Sequence, residues 1–352
     1  MRRRTLLAAG AASTVAAVTA LPARPAGARH RRGLTVAADG SGDVDGIQAA
    51  VDAVPSGNPS TFTIAIRPGT YPGQVIVPAD KPHIVFRGLC ADPSRVVITD
   101  DRANGTPRPD GGTWGTSGSA SVTISGADFT ARNLTFANSF DEAAHPEITN
   151  RQAVAVLTRA DRLVFDNVRF LANQDTLYVN SPDVATVSRA YFRNCHVEGD
   201  VDFIFGRGTA VFDRCEIRSL DRGSTTNNGY VTAASTDLQN PYGFLVVRSR
   251  LTGAVAPGTV YLGRPWHPSN DPNAIAQTVI RDSWLGPHLN PAPWTDFGTW
   301  SWRDARYAEY ANRGPGAATG ADRPQLTAAQ AAALTPRAYL TGPDGWSPMR
   351  WS

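Results

Sequence analysis

LVFDNVRF at residues 163–170, AYFRNCHV at 190–197 and AVFDRCEI at 210–217 are three versions of one alternating apolar pattern. The same pattern stands upstream as FTARNLTF at 129–136, and downstream as FLVVRSRL at 244–251 and TVIRDSWL at 278–285. Anchored on Asn133, Asn167, Asn194, Arg214, Arg248 and Asp282, the copies step by 34, 27, 20, 34 and 34 residues. A unit of about 20 residues that lengthens by insertion, in β-branched and aromatic sequence, predicts a parallel β-helix rather than a propeller or a helical array. The other reading is chance alternation in a different all-β fold.

In such a stack, equivalent positions of adjacent coils lie about 4.7–4.9 Å apart and point the same way. Asp175 is eight residues past Asn167, and Asp202 is eight past Asn194. The register therefore brings two carboxylates side by side. Cys195 and Cys215 each follow an anchor by one residue, in neighbouring coils, so the same logic predicts a disulfide between them, with two reduced core thiols as the alternative. Cys90 is left over as a buried spare thiol, in keeping with an exported chain that carries three cysteines.

The ends bound the class. Arg2, Arg3 and Arg4 precede an apolar run over residues 6–20, and small residues follow, with a cut predicted after Ala28. Residues 1–28 thus read as a cleaved export signal and 29–352 as a single β-helix domain, secreted and extracellular. The arginine pair resembles a twin-arginine signal, a general secretory signal being the other reading. The run is too short and too rich in alanine to span a bilayer. The signal carries four arginines and no acid, so its loss takes the formal charge from +3 to −1. Lys81 is the only lysine and no basic run appears, which argues against nucleic acid, although an arginine-rich groove could still bind an acidic polymer. No other stretch could span a membrane, so no membrane partner is expected. The chain reads as one elongated monomer.

Residues 43–54 (DVDGIQAAVDAV) have the period of a short amphipathic helix placed to cap the open N-terminal end. Residues 100–121, rich in Gly, Asp, Ser and Thr, belong to a loop. From Thr295 onward the repeat is lost, and this tail is expected to close the far end and pack back along the coils, with a helix at 328–334 capped by Thr327.

Two carboxylates about 5 Å apart cannot both ionise cheaply, so one holds a proton while the other is charged. An arginine on one of them would keep it ionised, and Arg264 in LGRPW (262–266) is the candidate. Pro265 and Trp266 beside it would offer a stiff, flat surface to a sugar. Asp200 is the internal rival of Asp202, but it lacks a partner at equal offset in the preceding coil.

The blocks QAVAV (152–156), QDTL (174–177), DFIFG (202–206) and LGRPW (262–266), in this order, resemble the pectin methylesterases, as does the stretch 115–138. The resemblance covers nearly the whole mature chain. It implies a right-handed parallel β-helix that hydrolyses galacturonate methyl esters of pectin and leaves pectate. Asp202 is implied as nucleophile, Asp175 as acid and then base, and Gln152 and Gln174 as donors to the oxyanion. Arg264 would hold Asp202, and Trp266, Tyr178, Val201 and Phe205 would line the sugar groove. No cofactor and no metal are implied.

Two departures stand out. The family's Gly-x-Tyr-x-Glu block has Gly69 and Tyr71 here, but Gly73 in place of the glutamate. The step from Asp175 to Asp202 is also long, with 181–187 read as an extra loop at one lip of the cleft.

A pectate-lyase-type enzyme would share the fold but needs a calcium-binding carboxylate cluster and a basic proton abstractor. A serine esterase lacks its Gly-x-Ser-x-Gly, and His145, His196 and His267 stand outside any nucleophile motif. A non-catalytic pectin binder, and a hydrolase of another acyl group, complete the alternatives.

Overall fold

The strand at Leu163–Leu171 pairs on one side with Thr130–Asn138 and on the other with Arg189–Arg193 and His196–Gly199, all parallel. Propagated along the chain, this pattern builds a right-handed parallel β-helix of two sheets, one of sixteen strands and one of seven. The computed structural model describes residues 32–351. The predicted export signal lies outside the described residues.

The anchor positions fall in register, as expected. Asp166 pairs with Arg193 and Arg169 with His196, which sets Asn167 opposite Asn194. The reason for the repeat is conformational: Asn133, Asn167, Asn194, Arg214, Arg248 and Asp282 all have φ between 52° and 57°. Each is a left-handed corner of its coil, between two strands at Asn194, Arg214, Arg248 and Asp282 and as a bend within one strand at Asn133 and Asn167. Asparagine and aspartate tolerate that region best after glycine, so the recurring Asn is a turning device. Asn167 further donates to the Asn133 side-chain oxygen at 2.9 Å, the start of a corner ladder.

Inside the coils, Phe165, Phe192 and Phe212 stack in succession at 4.7 Å and 4.6 Å between ring centroids. All three are fully buried, and each large ring contributes roughly 1.5–3 kcal/mol through burial. The N-terminal end is capped by a helix at Ile47–Asp52, shorter than the sequence suggests, that buries Ile47, Ala50 and Val51.

The tail departs from expectation in two ways. Arg306–Tyr310 pairs with Gln277–Arg281, so the ladder runs one coil further than the sequence shows, with Ala311 (φ 49°) at the corner that Asn or Asp takes elsewhere. A second helix, Pro336–Leu340, follows the expected one at Ala328–Ala333. The first has a capping box between Thr327 and Gln330; the second has Thr335 as cap and Pro336 at its start. Tyr339 and Leu340 then bury against Tyr191, Val211 and Leu245 on the outer face of the larger sheet. That contact packs the tail along the coils.

The expected disulfide is not formed: Cys195 and Cys215 are both buried free thiols. Cys195 lies 3.4 Å from the Phe165 carbonyl and Cys215 lies 3.5 Å from that of Phe192, each thiol donating one coil back. The register does bring the two side chains into contact, and burial first, then the Cys195 thiol beside it, push the Cys215 thiol well above its ordinary range, which disfavours the thiolate that disulfide formation needs. Cys90 is half-buried rather than enclosed.

Candidate active site

Asp175 and Asp202 occupy corners of the smaller sheet, immediately before the paired strands Leu177–Val179 and Ile204–Gly206. Leu177 pairs with Ile204, so the two aspartates are equivalent positions of adjacent coils, as their offsets suggest. Both adopt left-handed backbone, φ 69° and 51°. Such residues cost of order 1–3 kcal/mol each and persist only where neighbours hold them. Here the Asp175 amide donates to the Val201 carbonyl at 3.1 Å, and the Thr176 hydroxyl donates to the Glu198 carbonyl at 2.8 Å. The glycine that closes DFIFG is required by space as well. Gly206 has φ 117°, and a Cβ there would meet the Val179 oxygen at 2.1 Å.

Arg264 clamps Asp202 with two parallel bonds, Nε to Oδ1 at 2.8 Å and Nη2 to Oδ2 at 2.6 Å. Its guanidinium is itself held between two rings, 3.9 Å from the Tyr230 centroid and 4.2 Å from that of Phe297. Planar guanidinium stacks in this way, and the rings fix its plane toward the carboxylate. Neither ring was legible in the sequence: Tyr230 comes from the coil between those of Asp202 and Arg264, and Phe297 from the tail.

The two carboxyls differ as the sequence logic requires. Burial raises both. Asp175 is driven well above the ordinary carboxylate range, first by burial and then by the charge of Asp202. Asp202 is raised less far because the Arg264 hydrogen bonds and charge oppose the effect of burial. Burial and the neighbouring charge thus favour the protonated form of Asp175, whereas Arg264 favours the charged form of Asp202.

Asp175 and Asp202 open into a cavity of about 290 Å³ whose walls include Gln152, Gln174, Tyr178, Phe205 and Trp266. The side-chain oxygen of Gln152 is buried without a partner, and neither glutamine amide bonds to another group among the described residues. Their alternative reading, amides tied into coil ladders, is not what the structure shows. Tyr178 stacks on Phe205 at 4.1 Å, and Trp266 meets both rings edge-on at 5.9 Å and 5.5 Å, making an aromatic floor.

Val201 is not among the residues lining this cavity; its carbonyl instead fixes Asp175. Residues 182–187 form an exposed loop, and none of them lines the cavity. Thr116 and Ser117 do line it, brought in by the short helix Gly115–Gly118 of the polar loop, a contribution the sequence reading did not name. The departure at Gly73 is local: the residue has φ 102°, and the next side chain, Gln74, donates to the Gly118 and Ala120 carbonyls beneath that helix. Asp200 is held by Arg222 at 3.1 Å and lines a neighbouring cleft instead.

The pectinesterase family model matches residues 33–342. The pectinesterase of Ralstonia solanacearum is 38% identical over 288 residues, covering 75% of this chain and 72% of that protein. Among solved structures, a pectin methylesterase from Erwinia chrysanthemi superposes with a TM-score of 0.79 at 33% identity, over 90% of this chain and 98% of its own. A pectin methylesterase in complex with a hexasaccharide superposes with a TM-score of 0.81, at the same identity and coverage.

Proposed function

This chain belongs to the pectinesterase family, a family of carboxylic ester hydrolases, and from that premise we propose that it demethylates pectin through an aspartyl acyl-enzyme. The reading rests above all on one arrangement: a proton-holding Asp175 stacked beside an Arg264-clamped Asp202 in one cavity.

In this mechanism an Asp202 carboxylate oxygen attacks the carbonyl carbon of a galacturonate methyl ester. The negative charge passes to the carbonyl oxygen, where the unpaired amides of Gln152 and Gln174 donate to it. Collapse breaks the bond to the methoxy group, and Asp175 gives its proton to the departing oxygen, releasing methanol. The galacturonyl group is then joined to Asp202 as an anhydride. Asp175, now charged, takes a proton from water, whose oxygen attacks the same carbonyl. Breaking the bond to Asp202 frees the uronic acid and restores both aspartates. Arg264 keeps Asp202 charged and aimed, while Trp266, Tyr178 and Phe205 present flat faces to the sugar rings.

The hexasaccharide held by a structural neighbour supports a carbohydrate chain as the occupant of this cleft. We place the enzyme outside the cell as a monomer acting on homogalacturonan; among the described residues no helix is long and apolar enough to cross a membrane. Methanol release from highly methylated pectin, with and without a chelator, tests the reading. Release that persists under chelation is expected. Chain cleavage to unsaturated products without methanol would replace it with lyase chemistry.

A further inference from the structure

The outer face of the larger sheet carries a second groove. Its floor is one ladder, Thr63, Val85, Thr130, Val164 and Tyr191, each paired with the next across successive coils. The ladder continues through Val211, Leu245, Val279 and Ala308, and there the C-terminal helices cover it with Tyr339 and Leu340. Upstream of Tyr191 that cover ends at a wall of Trp346 and Pro348, leaving a cavity of about 450 Å³.

The ladder beside this floor runs Arg87, Arg132, Asp166, Arg193. Arg193 is committed to Asp166 through bonds of 3.1 and 2.6 Å, and across the floor Arg162 is committed to Asp128 at 2.7 and 2.6 Å. Arg87 and Arg132 hold no ion pair or hydrogen bond among the described residues, and Nε of Arg132 is buried without a partner. A buried guanidinium nitrogen left unpaired is costly unless a ligand satisfies it. Arg87 and Arg132 stand on paired positions of neighbouring strands, a spacing of about 4.7–4.9 Å along the backbone, so their two free guanidiniums can reach the carboxylates of one ligand as a fork. The apolar floor and the Trp346 ring suit the faces of sugar rings.

We propose that this groove is an exosite for de-esterified, anionic galacturonate segments, separate from the cleft that makes them. The identity of the anion rests on the function proposed above, since each turnover there converts a neutral ester into a carboxylate. Carboxylates of the segment engage Arg87 and Arg132 while its rings lie on Val85, Thr130 and Val164 against Trp346. Product bound on this face holds the enzyme to a polymer that it is still processing.

Calorimetric titration of the full chain with unesterified hexagalacturonate at low ionic strength tests the proposal. Arg87→Gln with Arg132→Gln should remove one binding component or weaken it about tenfold or more. Methanol release from a short methyl-esterified oligomer should stay unchanged. Arg132→Lys should recover part of the affinity, which separates lost charge from lost fold, and Trp346→Ala should weaken hexagalacturonate but not poly-glutamate. An unchanged titration in the double variant overturns the proposal, as does poly-glutamate binding as tightly as the sugar. If wild type releases no methanol, the function proposed above fails, whereas loss of the component in the double variant still stands for the groove.

Discussion

Asp202–Arg264 and Asp213–Arg248 are bidentate ion pairs of nearly the same geometry in the same coil stack. The first has bonds of 2.8 and 2.6 Å, the second 2.9 and 2.5 Å. Asp213 has help in excess: the Tyr191 hydroxyl donates to it at 2.9 Å and Arg214 stands 3.6 Å away. Asp202 instead shares its single arginine with a second carboxyl, Asp175, that has no cation of its own. Pairing alone makes a strut. A pair becomes reactive when an uncompensated neighbour must hold a proton and both face a cavity.

Asp175→Asn puts that distinction under the greatest strain. Removing the acid and base should lower methanol release about 10³-fold or more. It should also raise stability near neutral pH. The folded pKa of Asp175 lies above its unfolded value of about 3.9, so the native state binds more protons and its stability falls as pH rises through that window. Melting curves from acid to neutral pH should show wild type losing ground that the variant keeps.

Arg264→Ala comes next. It leaves Asp202 charged, buried and unpaired, a change that costs about 3–5 kcal/mol when a buried pair is broken. Methanol release should fall by about two to three orders of magnitude. The pH profile should move as well. Activity needs Asp202 ionised and Asp175 protonated, which gives a bell, and loss of Arg264 raises Asp202 and carries the acidic limb to higher pH. An unmoved acidic limb would mean that the arginine does not tune this carboxylate.

Gln152→Ala and Gln174→Ala should each cost about 10²-fold in turnover with a lesser effect on KM, as for a donor to a transient oxyanion. At the small end, Arg248→Ala should leave turnover alone. Its side chain is 44% exposed, so the stability lost in a melt should be only about 1 kcal/mol.

Much of this was legible because the scaffold writes its geometry into residue types. Left-handed corners favour asparagine and aspartate, so Asn133, Asn167 and Asn194 announced the coils, and equal offsets from them located Asp175 and Asp202. The signal faded where other residues turn the corner, and Ala311 hid a whole coil for that reason. Contacts that depend on the direction of a side chain were less legible. Cys195 and Cys215 share a register and touch, yet both are buried thiols. Tyr230 and Phe297 come to Arg264 from the preceding coil and from the tail, where no spacing rule reaches. The helix at Pro336–Leu340 did carry a signal, Thr335 followed by proline, that the apolar period was too short to reinforce.

The proposed nucleophile is tested most directly by Asp202→Ala, assayed for methanol release and for affinity toward a methyl-esterified galacturonate oligomer. Methanol release is expected to vanish while affinity persists, because Trp266, Tyr178 and Phe205, the proposed sugar-binding surface, still line the cavity. Methanol release that survives the substitution would contradict the account.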